Sequence, residues 1–146
     1  MYNVIVADDE KNIREGIVEL IEWEKLGCKV CASMQNGAQV LKYLEEEKIH
    51  VDIIITDIKM PIMDGMELIG MLNERFPDIK VIILTAYSDF TYAQQAIKFQ
   101  VSDFVVKNDF FLELPRAVKK IIEQCEVDAK KCVGREKEIP FFQGEA

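Results

Sequence analysis

The sequence predicts an α/β domain made of five strand–helix units around a parallel sheet. Three observations carry that expectation. Short apolar runs (YNVIVA at 2–7, VDIIIT at 51–56, KVIILT at 80–85) alternate with stretches whose apolar residues recur at helical spacing. Turn residues punctuate the joints, as in Asn36-Gly37, Asp64-Gly65 and Phe76-Pro77-Asp78. The run from Val51 to Thr56 is largely β-branched, which suits a strand covered on both faces. Alternation of this kind argues for helices on both sides of one sheet.

Taken in order, Tyr2 to Ala7 reads as the first strand, and Asp8, Asp9 and Glu10 follow at once. Ile13, Ile17, Leu20 and Ile21 fall on one face of a first helix, whose start favours an acid such as Asp9 or Glu10. Gly27 closes that segment, and Cys28 to Ser33 is a weaker second strand. Asn36-Gly37 turns into a second helix marked by Ala38, Leu41 and Leu44, which runs into Glu45-Glu46-Glu47-Lys48. The third strand ends at Asp57. Lys59 to Gly65 is a loop shaped by Pro61, which restricts Met60, and by Gly65, which tolerates a positive φ. Leu68, Ile69 and Leu72 mark a third helix, and Lys80 to Thr85 a fourth strand. Tyr92, Ala93, Ala96 and Ile97 give a fourth helix, capped by Ser88 or Asp89. Val101 to Lys107 holds a short fifth strand. Leu114, Val118, Ile121, Ile122 and Cys125 line a fifth helix from Asp109 to Lys130. Periodicity fades from Cys132 onward. The expected division is therefore a domain over 1–130 and a linker or tail over 131–146, which includes Phe141-Phe142.

Composition narrows the function. The chain has 146 residues, 49% of them apolar and 30% charged, which suits one globular domain. Its net charge of −8 disfavours non-specific nucleic-acid binding by this chain, because phosphate neutralisation needs basic residues. No apolar run approaches the about 18 residues of a membrane span, and no basic-then-apolar leader is visible. A cytoplasmic location without membrane insertion is expected. Cys28 and Cys31 form a single CxxC without a matching His or second pair, so the four cysteines, with Cys125 and Cys132, read as free thiols. His50 is the only histidine and lies before the third strand, so no Ser-His-Asp or Cys-His arrangement can be built. Neither a Walker A loop nor a G-x-G-x-x-G after the first strand is present.

The strand ends are more informative. Ligands of open parallel sheets bind outside the carboxyl ends of the strands. Here those ends carry Asp8-Asp9, Asp57, Thr85 and Lys107. Singly, each acid reads equally well as a helix cap. Together, three carboxylates repel one another unless a cation joins them, and a hard, oxygen-ligated ion such as Mg2+ meets that need. Thr85 and Lys107 then face an anion held against the metal, which points to phosphoryl chemistry.

In this order and on these strands, Val4-Ile5-Val6-Ala7-Asp8-Asp9-Glu10, Ile54-Ile55-Thr56-Asp57-Ile58-Lys59-Met60-Pro61, Met63-Asp64-Gly65, Ile82-Ile83-Leu84-Thr85-Ala86 and Lys107 resemble the receiver domain of two-component response regulators. The likeness spans roughly residues 2 to 125. It implies a flavodoxin-like (βα)5 doubly wound sheet with strand order 2-1-3-4-5. It also implies a Mg2+-dependent phosphoacceptor, with Asp57 taking a phosphoryl group from a sensor histidine kinase. Asp9, Asp57 and the backbone carbonyl of Lys59 would ligate the metal, with Asp8 acting through water. Lys107 and Thr85 would meet phosphoryl oxygens, and Thr85 and Phe104 would form the switch, read out often through a receiver homodimer. Such a domain is not an enzyme on external substrates, although it catalyses its own phosphoryl transfer and slow dephosphorylation.

A narrower resemblance rests on Ile13-Arg14-Glu15-Gly16, Ile21-Glu22-Trp23-Glu24-Lys25-Leu26-Gly27 and Tyr87-Ser88-Asp89-Phe90-Thr91-Tyr92-Ala93. It is similar to the subfamily with an AraC-type DNA-binding module after the receiver, so DNA would be met only through a module outside this chain. The sequence departs from the family at Asn108, where a proline with a cis peptide usually follows the lysine. A cis bond before a non-proline residue costs about 2.5 to 4 kcal/mol, so Lys107-Asn108 is expected to be trans. Two other classes stay open on the residues alone: a phosphorylation-independent interaction module of the same fold, and a small Mg2+-dependent phosphatase. The second lacks a visible acid or base for turnover. Phe104 also reads as a fixed core aromatic, Trp23 as a packed helix-end residue, and Met60, Met63, Met66 and Met71 as gap fillers.

Overall fold

The computed structural model describes residues 1–47, 49–86 and 101–138, the stretch 129–138 as backbone. Five parallel strands run in order β2-β1-β3-β4-β5. They are β1 (Tyr2–Ala7), β2 (Cys28–Met34), β3 (Ile53–Asp57), β4 (Lys80–Thr85) and β5 (Asp103–Val106). Between them lie α1 (Lys11–Leu20), α2 (Gly37–Glu46) and α3 (Gly65–Arg75), and a C-terminal helix (Phe110–Glu138) follows. This is the expected flavodoxin-like order. The fourth helix expected around Tyr92, and the tail with Phe141-Phe142, fall outside the described residues.

Two apolar layers sandwich the sheet. On one face Val4, Val6, Ile53, Ile55, Ile82 and Leu84 pack against Ile17 of α1 and Leu114, Val118 and Ile121 of the C-terminal helix. On the other, Ile5, Ile54 and Ile83 pack against Val40 and Leu41 of α2 and Leu68, Ile69 and Leu72 of α3. Successive strand residues alternate between these layers, as the pleat requires. Both faces are dry, which explains why β3 is buried along its whole length. Met60 is buried, and Met63, Met66 and Met71 pack against the second layer as gap fillers.

Local chemistry sets the element ends. The Asn36 side chain accepts from Gln39 N and caps α2. Asp64 and Glu67 form a reciprocal capping box on α3. Gly27 takes φ 75 and closes a short 3-10 turn (Trp23–Leu26). Trp23 is buried there, and its indole N–H donates to the Ile17 carbonyl at 3.1 Å.

Three expectations change. Gly65 does not have a positive φ. A Cβ there would run into the Asp57 carbonyl, while its N–H bonds the Ile58 carbonyl at 2.7 Å, so close approach of α3 to the end of β3 requires the glycine. The positive φ falls instead on Ile62 (φ 67), whose side chain is 83% exposed. Leu20 lies in the apolar pattern of α1 yet is 58% exposed, because the sheet contact ends with Ile17 and Ile21. The C-terminal helix continues past Lys130 to Glu138. It also passes through Pro115, which supplies no N–H to the Phe111 carbonyl.

Candidate phosphoacceptor site

Parallel register brings the carboxyl ends of the strands to one edge. Ala7 pairs with Thr56, Asp57 with Leu84 and Thr85 with Val106. The residues that follow these positions therefore meet above the sheet. Asp8, Asp9 and Asp57 each present a carboxylate oxygen, all within 4.8 Å of one another. Asp8 is fully buried, Asp57 is 3% exposed, and Asp9 faces solvent.

Lys107 arrives from the end of β5 in a 3-10 turn (Lys107–Asp109). All described peptide bonds are trans, Lys107-Asn108 included. The side chain nevertheless reaches the acids. Nζ lies 2.8 Å from Asp57 Oδ2, 2.8 Å from Glu10 Oε1 and 3.4 Å from Asp8 Oδ1. Thr85 is buried at the end of β4, and its hydroxyl donates to the Ala86 carbonyl at 2.9 Å. Phe104 is half-buried against the second apolar layer. Lys59, two residues past Asp57, is exposed between the buried Ile58 and Met60.

Backbone donors hold the carboxylates in place. Asp8 Oδ1 accepts from Glu10 N at 2.9 Å, and Asp57 Oδ1 accepts from Ile58 N at 2.7 Å. Arg14 donates to the Asp8 carbonyl at 2.7 Å. Asp8 Oδ2 is buried without a hydrogen bond and meets Lys107 Nζ, 3.2 Å away, only as an ion pair. Three carboxylates, those of Asp8, Glu10 and Asp57, thus meet the Lys107 ammonium, and Asp9 lies beside Asp8 and Asp57.

The electrostatics follow that imbalance. Burial pushes the Asp8 carboxyl up to about 6, the charge of Asp57 adds to the rise, and the Glu10 N–H and Lys107 oppose it. Asp57 is also raised, first by burial and then by Asp9, against the hydrogen bond and charge of Lys107. For Lys107, burial acts downward but is outweighed by its bonds to Asp57 and Glu10, and the net shift is upward. The two acids rise chiefly because burial disfavours their charged form, and Lys107 rises because its bonds to the acids outweigh its own burial. An orphaned buried oxygen in an all-oxygen donor set suits a hard divalent cation.

Glu10 and Arg14 were not singled out as site residues in the sequence. The available signal was the position of Glu10, directly after Asp8-Asp9 at a strand end.

Residues 4–119 match the family described as response regulator receiver domain. The chain belongs to that family. It is a receiver domain carrying an Asp-Asp-Asp cluster of the kind that serves Mg2+ and phosphoaspartate chemistry. It is 38% identical over 107 residues to the uncharacterized transcriptional regulatory protein YesN of Bacillus subtilis, covering 73% of this chain and 28% of that one. The receiver domain of AraT, a response regulator from Geobacillus stearothermophilus, superposes with TM-score 0.75 at 37% identity, covering 86% of this chain and 98% of that one. A LuxR-family DNA-binding response regulator from Staphylococcus aureus gives TM-score 0.73 at 30% identity, covering 83% and 98%. The chain spans 28% to 49% of the length of the first curated relatives it matches.

These comparisons overturn the AraC-type expectation. The Staphylococcus aureus neighbour is a LuxR-family regulator, and RcsB, solved as a complex with DNA, is a further neighbour (TM-score 0.76, 25% identity, 84% of this chain and 61% of that one). The physical reason lies in the residues that suggested it. Ile13, Ile21, Trp23 and Leu26 pack the receiver's own core, so their identity answers to that packing. The third segment, Tyr87 to Ala93, lies outside the described residues.

Proposed function

We propose that this receiver is a phosphoacceptor switch with Asp57 as the acceptor. The observation that carries the reading is the buried Asp57 carboxylate, 2.8 Å from Lys107 Nζ and grouped with Asp8 and Asp9. In the transfer, the donor's bond to phosphorus breaks as an Asp57 oxygen bonds to phosphorus, and the donor leaves with the bonding pair. Asp9, Asp57 and the Lys59 carbonyl would hold Mg2+, with Asp8 acting through water, and the bound ion would offset charge on the phosphoryl oxygens. Lys107 shifts from the Asp57 carboxylate to a phosphoryl oxygen. The Thr85 hydroxyl leaves the Ala86 carbonyl and donates to another, and Phe104 follows the space Thr85 vacates. The added charge and acceptor oxygens are local, and this rearrangement carries them outward.

The donor in this reading is a sensor histidine kinase, and the receiver itself acts in the cytoplasm. Among the described residues no helix is long and apolar enough to cross a membrane. The output passes to a separate DNA-binding module of a longer protein, with the LuxR-family neighbour as its guide. Receiver pairing belongs to the same reading, since a related structure contains two RcsB dimers on DNA.

Intact mass after treatment with a small phosphoryl donor tests the acceptor. A Mg2+-dependent gain of one phosphoryl group, absent in Asp57→Asn, is expected. No gain, under conditions that modify another receiver, would favour an interaction module of the same fold.

A further inference from the structure

Glu10 sits at the N-cap of α1, where a side-chain oxygen can accept a free helix N–H. It makes no such bond, and the first turn of α1 holds no other acid. Its Oε1 instead accepts from Lys107 Nζ, 97 residues away, at 2.8 Å. The helix thus goes without a side-chain cap while its capping residue is committed to the site. An ammonium has three donors. Here they face Asp57, Glu10 and Asp8.

Of those three acceptors, Glu10 is the outermost. Its side chain is 60% exposed, against 4% for Asp57 and 0% for Asp8. It therefore holds the ammonium from the solvent side of the cluster. The backbone beneath it is braced, since Arg14 N donates to the Glu10 carbonyl at 3.0 Å and the Arg14 guanidinium to the Asp8 carbonyl at 2.7 Å.

We propose that Glu10 is the resting anchor of Lys107, a positioning residue that holds the ammonium at the mouth of the acidic cluster and must release it before Lys107 engages an incoming phosphoryl group. The proposal rests on the phosphoacceptor reading of Asp57. A phosphoryl group arriving at Asp57 brings oxygens that compete with the Glu10 carboxylate for the same donor. Its negative charge also repels Glu10 directly. The anchor therefore slows uptake. Replacing the carboxylate with an amide of the same shape leaves an acceptor oxygen but removes the charge that retains Lys107.

The test uses the full chain as native protein, Glu10→Gln, Lys107→Met and the double variant, with Glu15→Gln as a charge control. Glu15 removes the same charge from the same helix but faces Lys11 at 3.8 Å. With Mg2+ and a small phosphoryl donor, Glu10→Gln is expected to take up the group about threefold faster than native, the scale of an exposed ion pair. Glu15→Gln is expected to match native. Denaturant unfolding of the four proteins without metal is expected to show a Glu10–Lys107 coupling of about threefold in the folding equilibrium constant. A native rate in Glu10→Gln, equal acceleration by Glu15→Gln, or additive effects on stability would each overturn the anchor. A native chain that takes up no phosphoryl group overturns the acceptor reading itself, and this inference with it.

Discussion

The two ends of the sheet each hold a carboxylate in contact with a strand, and they treat it differently. At the amino end, Asp52 Oδ2 accepts from Asn3 N at 2.8 Å, and Oδ1 lies 3.1 Å from His50 Nε2. The backbone of Asp52 joins Asn3 and Lys80 as well, and the Asn3 amide donates to the His50 carbonyl. One oxygen of that carboxylate accepts a backbone N–H, the other lies beside an exposed imidazole, and its side chain stays 21% exposed. At the carboxyl end, Asp8 is fully enclosed with one oxygen unbonded, and Asp57 and Asp9 crowd against it. A satisfied carboxylate at a strand end ties the chain together. An oversupplied one keeps a need that a ligand can meet.

The largest way to break this contrast is to remove the ammonium that the crowded carboxylates share. Lys107→Met keeps most of the side-chain volume and leaves the carboxylates unopposed. Stability without metal is expected to fall by about 3 kcal/mol, as for a buried pair that loses one partner. Added Mg2+ is expected to recover most of that loss, read by denaturant unfolding with and without the ion. A loss that Mg2+ leaves untouched would mean that the lysine packs the fold and does not balance the cluster.

A second comparison should separate the two ends by sign. Asp8→Asn removes a buried charge whose oxygen has no donor, and it is expected to stabilise the metal-free chain by about 2 kcal/mol at neutral pH. Asp52→Asn weakens satisfied bonds, and it is expected to destabilise by about 1 kcal/mol. Stabilisation by Mg2+ should shrink in the first variant and persist in the second. The same sign for both substitutions would erase the distinction.

A third test is the pH dependence of the metal-free chain. Asp8 is raised from 3.8 to about 6 in the folded state, so the folded chain binds the proton more tightly than the unfolded one. Its contribution to stability is present below 3.8 and is lost as pH rises toward 6. Asp57 is raised too and acts in the same direction. Unfolding curves between pH 4 and pH 7 should therefore show stability declining with pH, and saturating Mg2+ should flatten the slope by holding the carboxylates ionised. A rising profile without metal would contradict the crowding described above.

Much of this was legible in the chain because the signals are local. β-Branched runs mark β3 and β4, and Asn36 and Gly27 act through neighbours in sequence. The parallel sheet rule then carried Asp8, Asp9, Asp57, Thr85 and Lys107 to one edge without any contact being known. The exposed Leu20 and the positive φ at Ile62 were not legible, because periodicity cannot say where a helix outruns its neighbour or which loop residue absorbs a turn. The role of Gly65 was misread for a similar reason, since close approach of α3 to β3 depends on how the elements pack. The kind of output module was misread because the suggestive residues answer to the receiver's own core.

By itself, then, the sequence determined the number of the strands and which end of the sheet carries the acids. Both follow from side-chain pattern and from the direction in which parallel strands must run. Only the tertiary structure decided how the charges balance. It brought Glu10 and Lys107 together across 97 residues, aimed the ammonium from a trans Lys107-Asn108 peptide, and left one oxygen of Asp8 without a donor. Burial and hydrogen bonding are properties of the packed molecule, and the net charge of a pocket depends on which side chains the packing turns inward.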